Sequence, residues 1–144
     1  MDEDERARRC ADAMWAKDIA SKSAGMRIEE IGPGRAVLSQ VLREDQMNGH
    51  GTAHGGVLFT LADSAFAFAC NSRNRRAVAQ HAAITFLSAG RGGERLTATA
   101  RETALAGRSG TYDVTVTGED GRTVAIFQGL SRIVSGTHFE EDAP

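Results

Sequence analysis

Apolar residues recur along this chain in two rhythms, one alternating and one continuous. Residues 26–31 read as a strand closed by the turn Gly32-Pro33-Gly34, and residues 35–43 read as its hairpin partner, with Val37, Leu38, Val41 and Leu42 as core positions. Residues 77–88 are small and apolar, with Ile84, Phe86 and Leu87 the strongest core candidates. Residues 94–105 set Leu96, Ala98 and Ala100 against Arg95, Thr97, Thr99 and Arg101. Residues 111–117 alternate in the same way, with Tyr112, Val114 and Val116 on one face. The turn Asp120-Gly121 then leads into a last strand over residues 123–134. The other rhythm fills residues 57–70, where nothing breaks a helix and apolar residues lie on nearly every face, so a helix buried on all sides is expected. Met14, Trp15 and Ile19 stand at helical spacing and predict an amphipathic helix over residues 2–20. Trp15 there is a packing anchor or, alternatively, a substrate-lining residue. The order is β-β-α-β-β-β-β behind a short helix, which gives an α+β fold: one antiparallel sheet packed on one long helix.

Composition narrows the class. A length of 144 residues suits a single domain over 1–144, and a net charge of −2 suggests no nucleic-acid or membrane partner. Cys10 and Cys70 form no disulfide framework, and Cys70 reads as a small core residue. The acidic start Met1-Asp2-Glu3-Asp4-Glu5 does not resemble a secretion signal, and no run of about 18 apolar residues is present. A soluble cytoplasmic protein is expected, with a frayed acidic tail over residues 136–144.

Two features carry candidate chemistry. Asp63 lies inside the apolar helix, where a carboxylate needs a partner, a proton or a function. It is a structural carboxylate with a buried partner, or a general base or nucleophile in an apolar site. Before it, Gly49, Gly51, Gly55 and Gly56 loosen the backbone, and the bare helix start at Gly55 and Gly56 offers free N–H groups to an anion or a developing oxyanion. The basic run Arg73-Asn74-Arg75-Arg76 beyond the helix is a solvated face that complements the dipole, or a phosphate contact.

Asn48-Gly49-His50, His54-Gly55-Gly56 and Leu61-Ala62-Asp63, with Ala65-Phe66-Ala67-Phe68-Ala69-Cys70-Asn71 behind them, resemble the signature of hotdog-fold acyl-CoA thioesterases of the phenylacetate-pathway (PaaI) type. The likeness runs from about residue 14 to about residue 135. It implies a hotdog fold, with the sheet wrapped around the helix, and hydrolysis of (hydroxy)phenylacetyl-CoA or a related aryl-acyl-CoA. The implied site has Asp63 as base or nucleophile and the Gly55 N–H as oxyanion donor. Asn48 orients water or the carbonyl, and His54 donates to the carbonyl or braces the loop. Gly56, Arg91, Arg108 and Ser109 are candidate substrate or CoA contacts. No metal or redox cofactor is implied, since CoA arrives as part of the substrate. The chain departs from the family at Ala89, where Pro is usual, and near Glu94, where Asp is usual. A non-catalytic acyl-CoA binder and a hotdog dehydratase are the alternatives. His50, His54 and Asp63 make a poor metal set, because the histidines lie in a Gly-rich loop.

Helix geometry adds a constraint. Asp63 follows Gly55 by eight residues, or about 12 Å along the axis, and a reacting carbon must lie within about 3 Å of both groups. If both are catalytic they come from two chains, so a homodimer is expected. The resemblance extends this to a tetramer of two dimers.

Overall fold

The structure, a computed structural model, describes residues 1–142. Ala143 and Pro144, the end of the tail expected to fray, lie outside the described residues.

The N-terminal region forms two helices rather than one. Helix α1 spans Glu3–Trp15 and is capped by the Asp2 carboxylate, which accepts from the Glu5 N–H at 2.8 Å. Helix α2 spans Ile19–Ala24, capped by Asp18. The Asp18 side chain competes for the backbone donor that a continuous helix would use internally, so the chain breaks there and restarts. Ile19 therefore leaves the apolar stripe and stands 81% exposed, whereas Trp15 packs against Phe68 at 6.2 Å between ring centres.

Six strands follow: β1 (Met26–Gly32), β2 (Arg35–Val41), β3 (Ala77–Phe86), β4 (Arg95–Ala106), β5 (Ser109–Thr117) and β6 (Thr123–Ile133). They form one antiparallel sheet in the order β1-β2-β4-β5-β6-β3. Helix α3, Gly55–Cys70, connects β2 to β3, carries the chain to the far edge of the sheet and packs against every strand, chiefly β2, β4 and β5. This is the sheet-around-helix arrangement implied by the resemblance. The predicted alternation places Leu96, Ala98, Ala100, Tyr112, Val114 and Val116 in the core against Leu58, Leu61, Ala62, Ala65, Phe66 and Ala69. The Phe66 ring meets Tyr112 edge-on at 5.4 Å, a favourable aromatic geometry.

Three expectations change. Val41, assigned to the core, faces outward at the end of β2. Strand β3 is an edge strand exposed along most of its length, and Phe86 and Leu87 lie outside the core. Helix α3 is not buried on all sides within one chain. Gly56 and Thr60 are exposed, and Asp63 and Ala67 half-exposed, along one stripe, because a single sheet can cover only part of a helix apolar all round.

Candidate active site

The Gly-rich loop before α3 is braced from within by Asn48. Its side-chain oxygen accepts from the N–H of His50 at 2.9 Å, the N–H of Thr52 at 3.2 Å and the hydroxyl of Thr52 at 3.3 Å. Of the Asn48 amide only the NH2 group is left for a substrate. From behind, the Ala53 N–H donates to Gly90 O at 2.9 Å, and Thr52 forms a β-bridge with Arg91.

At the helix start, His54 is the N-cap: its Nδ1 accepts from the Gly56 N–H at 2.9 Å. The bare start expected at Gly55 and Gly56 therefore narrows to Gly55, whose N–H has no hydrogen-bond partner among the described residues. With Nδ1 accepting, the proton of a neutral His54 ring sits on Nε2, which leaves one outward donor. Close approach explains the glycines. A Cβ at Gly55 would lie 3.1 Å from the Phe86 ring, and one at Gly56 would lie 3.1 Å from His54 Nδ1.

Asp63 is half-buried and has no hydrogen bond or ion pair among the described residues, and burial raises its pKa above the ordinary aspartate value. It lines a groove of about 530 Å³ floored by Phe66, Ala67 and Cys70 of α3 and walled by α1 and β3. Burial pushes the Cys70 thiol up to about 12, so it is no nucleophile at neutral pH. Gly55 and Asp63 remain eight residues apart on an unbroken helix and cannot meet one substrate within one chain. Arg108 and Ser109 lie at the β4–β5 turn, near the opposite end of α3, where Arg75 and Arg108 line a cavity of about 240 Å³. Arg91 lies beside the loop, 3.8 Å from Asp120.

Residues 50–125 match the model of the thioesterase superfamily. The chain is 41% identical to the acyl-coenzyme A thioesterase PaaI of Escherichia coli over 88% of its own length and 91% of that protein. It belongs to the thioesterase superfamily. A solved structure of the E. coli PaaI protein, from the phenylacetic acid degradation operon, superposes with a TM-score of 0.93 at 39% identity, covering 94% of this chain and 99% of that one. A Streptococcus pneumoniae hypothetical thioesterase solved with coenzyme A superposes at 0.81 with 25% identity, covering 86% and 98%. The fold of this PaaI-like thioester hydrolase is accordingly the hotdog fold.

Sequence reasoning missed what holds the thioesterase's Gly-rich loop in place. Glu94 is buried and bound by both arms of Arg122, whose Nη2 also donates to Ala89 O at 2.6 Å. The Arg122 guanidinium, then burial acting the other way, sets the Glu94 carboxyl, with the net shift below its usual value. This pair fixes the turn whose Gly90 carbonyl supports Ala53. Glu94 was visible in the sequence only as a departure from the family. Its partner lies 28 residues away across the sheet. Arg122→Met is expected to lower Tm and to speed amide exchange across residues 48–55 more than at the far edge β1. Uniform exchange rates would detach the pair from the loop.

Proposed function

We propose that this thioesterase hydrolyses acyl-CoA thioesters, with (hydroxy)phenylacetyl-CoA and related aryl-acyl-CoA as its substrate class, at sites shared by two chains. One observation carries the reading: a Gly55 N–H and a half-buried Asp63 carboxylate, both without a partner among the described residues, lie on one helix, too far apart for one substrate. A two-fold axis running two α3 helices antiparallel brings each Asp63 opposite the other chain's Gly55. The half-open stripe of α3 and the exposed edge β3 are the surfaces suited to that partner.

In this site the Gly55 N–H, at the positive end of α3, polarises the thioester carbonyl. The Asn48 NH2 group and the His54 Nε2–H are the remaining donors for substrate or water. Asp63 of the facing chain takes a proton from water as the new C–O bond forms, or attacks the carbonyl carbon itself. The tetrahedral oxyanion then collapses, the C–S bond breaks, and the CoA sulfur leaves and is protonated; on the attack route this leaves a mixed anhydride with Asp63, which water opens to the free acid and the Asp63 carboxylate. A single turnover in ¹⁸O-water tests the covalent route: label on Asp63 with unlabelled acid requires attack by Asp63 followed by water at the Asp63 carbonyl, whereas label in the acid is the outcome of the base route or of an anhydride opened at the acyl carbon. The reaction draws on no metal or redox cofactor.

Arg108 and Ser109, joined by Arg75, form the proposed contact for the CoA phosphates, because neither arginine has an acidic partner among the described residues. Arg91 is the weaker candidate, since Asp120 competes for it, and Gly56, with its N–H taken by His54, offers close backbone approach alone. Arg108→Ala is expected to raise KM for acyl-CoA about tenfold with kcat little changed, because phosphate binding is shared by ground and transition states. An unchanged KM removes Arg108 from the site.

The decisive assay is thiol release from aryl-acyl- and fatty-acyl-CoA by the purified protein; binding without turnover would sink the reading. We further propose a tetramer of two dimers, on the likeness to PaaI, and a cytoplasmic location, because CoA is too large and charged to cross a membrane unaided. No helix among the described residues is long and apolar enough to span a membrane.

A further inference from the structure

The C-terminal segment, residues 136–141, is strapped down rather than frayed. Asn74 holds it from a left-handed backbone conformation (φ 59°), which is rare outside glycine. The Asn74 side-chain oxygen accepts from the N–H groups of His138 at 2.9 Å and Phe139 at 3.2 Å, and its NH2 group donates to Phe139 O at 3.0 Å and to the Glu141 carboxylate at 3.1 Å. Arg6 pairs with Glu141 at 2.8 Å, and Arg9 lies 4.2 Å over the Phe139 ring. So much fastening places one side chain, His138, in the wall of the groove that Asp63 lines.

The hydrogen bonds also settle which nitrogen of that ring carries the proton. The Asn71 NH2 group donates to Ala67 O at 2.9 Å and Ala77 O at 3.1 Å, so its orientation is fixed and its oxygen is an acceptor. His138 Nε2 lies 2.8 Å from that oxygen and is therefore the donor. In the neutral ring Nδ1 is left as an acceptor without a partner among the described residues. Burial, and then the charge of Arg76, lower the His138 pKa and favour that neutral form.

We infer that His138 selects acyl groups whose far end carries a hydrogen-bond donor, with Nδ1 accepting from a ring hydroxyl. The inference rests on the acyl-CoA reading above. The scale fits. Asn71, whose oxygen His138 Nε2 contacts, follows Asp63 by eight residues, or about 12 Å of helix axis. A hydroxyphenylacetyl group spans about 7 Å from carbonyl carbon to hydroxyl by ordinary bond lengths. An approach of about 3 Å at each end, to base and to acceptor, brings the reach to about 13 Å, close to that rise. The floor of Phe66, Ala67 and Cys70 suits the ring between them.

The test compares kcat/KM for 4-hydroxyphenylacetyl-CoA and phenylacetyl-CoA. The wild type should favour the hydroxylated substrate by about tenfold, the value of one hydrogen bond to a polar group. In His138→Ala that preference should vanish, with kcat/KM for 4-hydroxyphenylacetyl-CoA falling about tenfold more than for phenylacetyl-CoA. Asn74→Gly keeps the backbone conformation and releases the strap, so it should also lose the preference, which covers failure of the first variant to fold. A wild-type enzyme without the preference, or folded variants that keep it, would overturn the inference while leaving thioester hydrolysis intact. A wild type that releases no thiol from any acyl-CoA overturns the substrate reading and this inference together.

Discussion

Asp63→Asn is expected to reduce turnover by about 10²-fold or more while the protein folds normally. The substitution keeps the size of the side chain and removes its charge. No hydrogen bond or ion pair at Asp63 is lost among the described residues, so the fold has little reason to fail. The pH dependence follows from the sign of the shift. Burial raises the folded-state pKa of Asp63. The fold therefore binds this proton more tightly than the unfolded chain does, and the associated stability is complete below the unfolded value of about 3.9 and is lost as pH rises through the folded value. At neutral pH the ionised carboxylate is a net cost. The Asn variant should match or exceed the wild type in Tm there, with the margin vanishing in acid. The acid limb of kcat/KM in the wild type should sit above the ordinary aspartate range. A folded Asp63→Asn protein with near-normal turnover would remove Asp63 from the mechanism.

Mixing two inactive variants should restore activity. Asp63→Asn lacks the proposed base or nucleophile, and Gly55→Pro lacks the proposed oxyanion donor, since Pro carries no N–H. The local structure makes Pro tolerable at this position. Gly55 is the first helical residue, where Pro is favoured, and His54 before it is extended (φ −60°, ψ 137°), as a residue preceding Pro prefers. The neighbour a Cβ would meet is the end of the Phe86 side chain, 52% exposed within one chain, which must give by a few tenths of an ångström. After subunit exchange at equal amounts, half the dimers are mixed and each regains one intact site. Activity should then return to about a quarter of wild type. Absence of recovery, with mixed dimers present and the Gly55→Pro chain folded, would mean that each site is built within one chain.

Both predictions turn on α3, and most of α3 was legible in the sequence. An unbroken apolar run fixes a helix, and strict alternation fixes the inward faces of β4 and β5, because both depend on local periodicity. The separation of Gly55 and Asp63 follows from helix rise alone. Local sequence could not decide the competitions won by particular side chains. Asp18 stops α1 from continuing as one helix, and the His54 ring takes the Gly56 N–H, leaving Gly55 at the helix start without a partner among the described residues. Asn48 spends its oxygen on its own loop. Nor does periodicity report which strands become edges. That depends on where α3 delivers the chain, and it leaves β3 open although its composition reads as core. The Glu94–Arg122 pair and the fastening of His138 by Asn74 join residues 28 and 64 positions apart, and no local pattern encodes such contacts. The sequence thus determined the six strands, the long helix, the inward faces of β4 and β5 and the chemical groups on α3. The tertiary structure decided which of those groups keep a free valence, because hydrogen-bond partners are allotted only when distant segments meet.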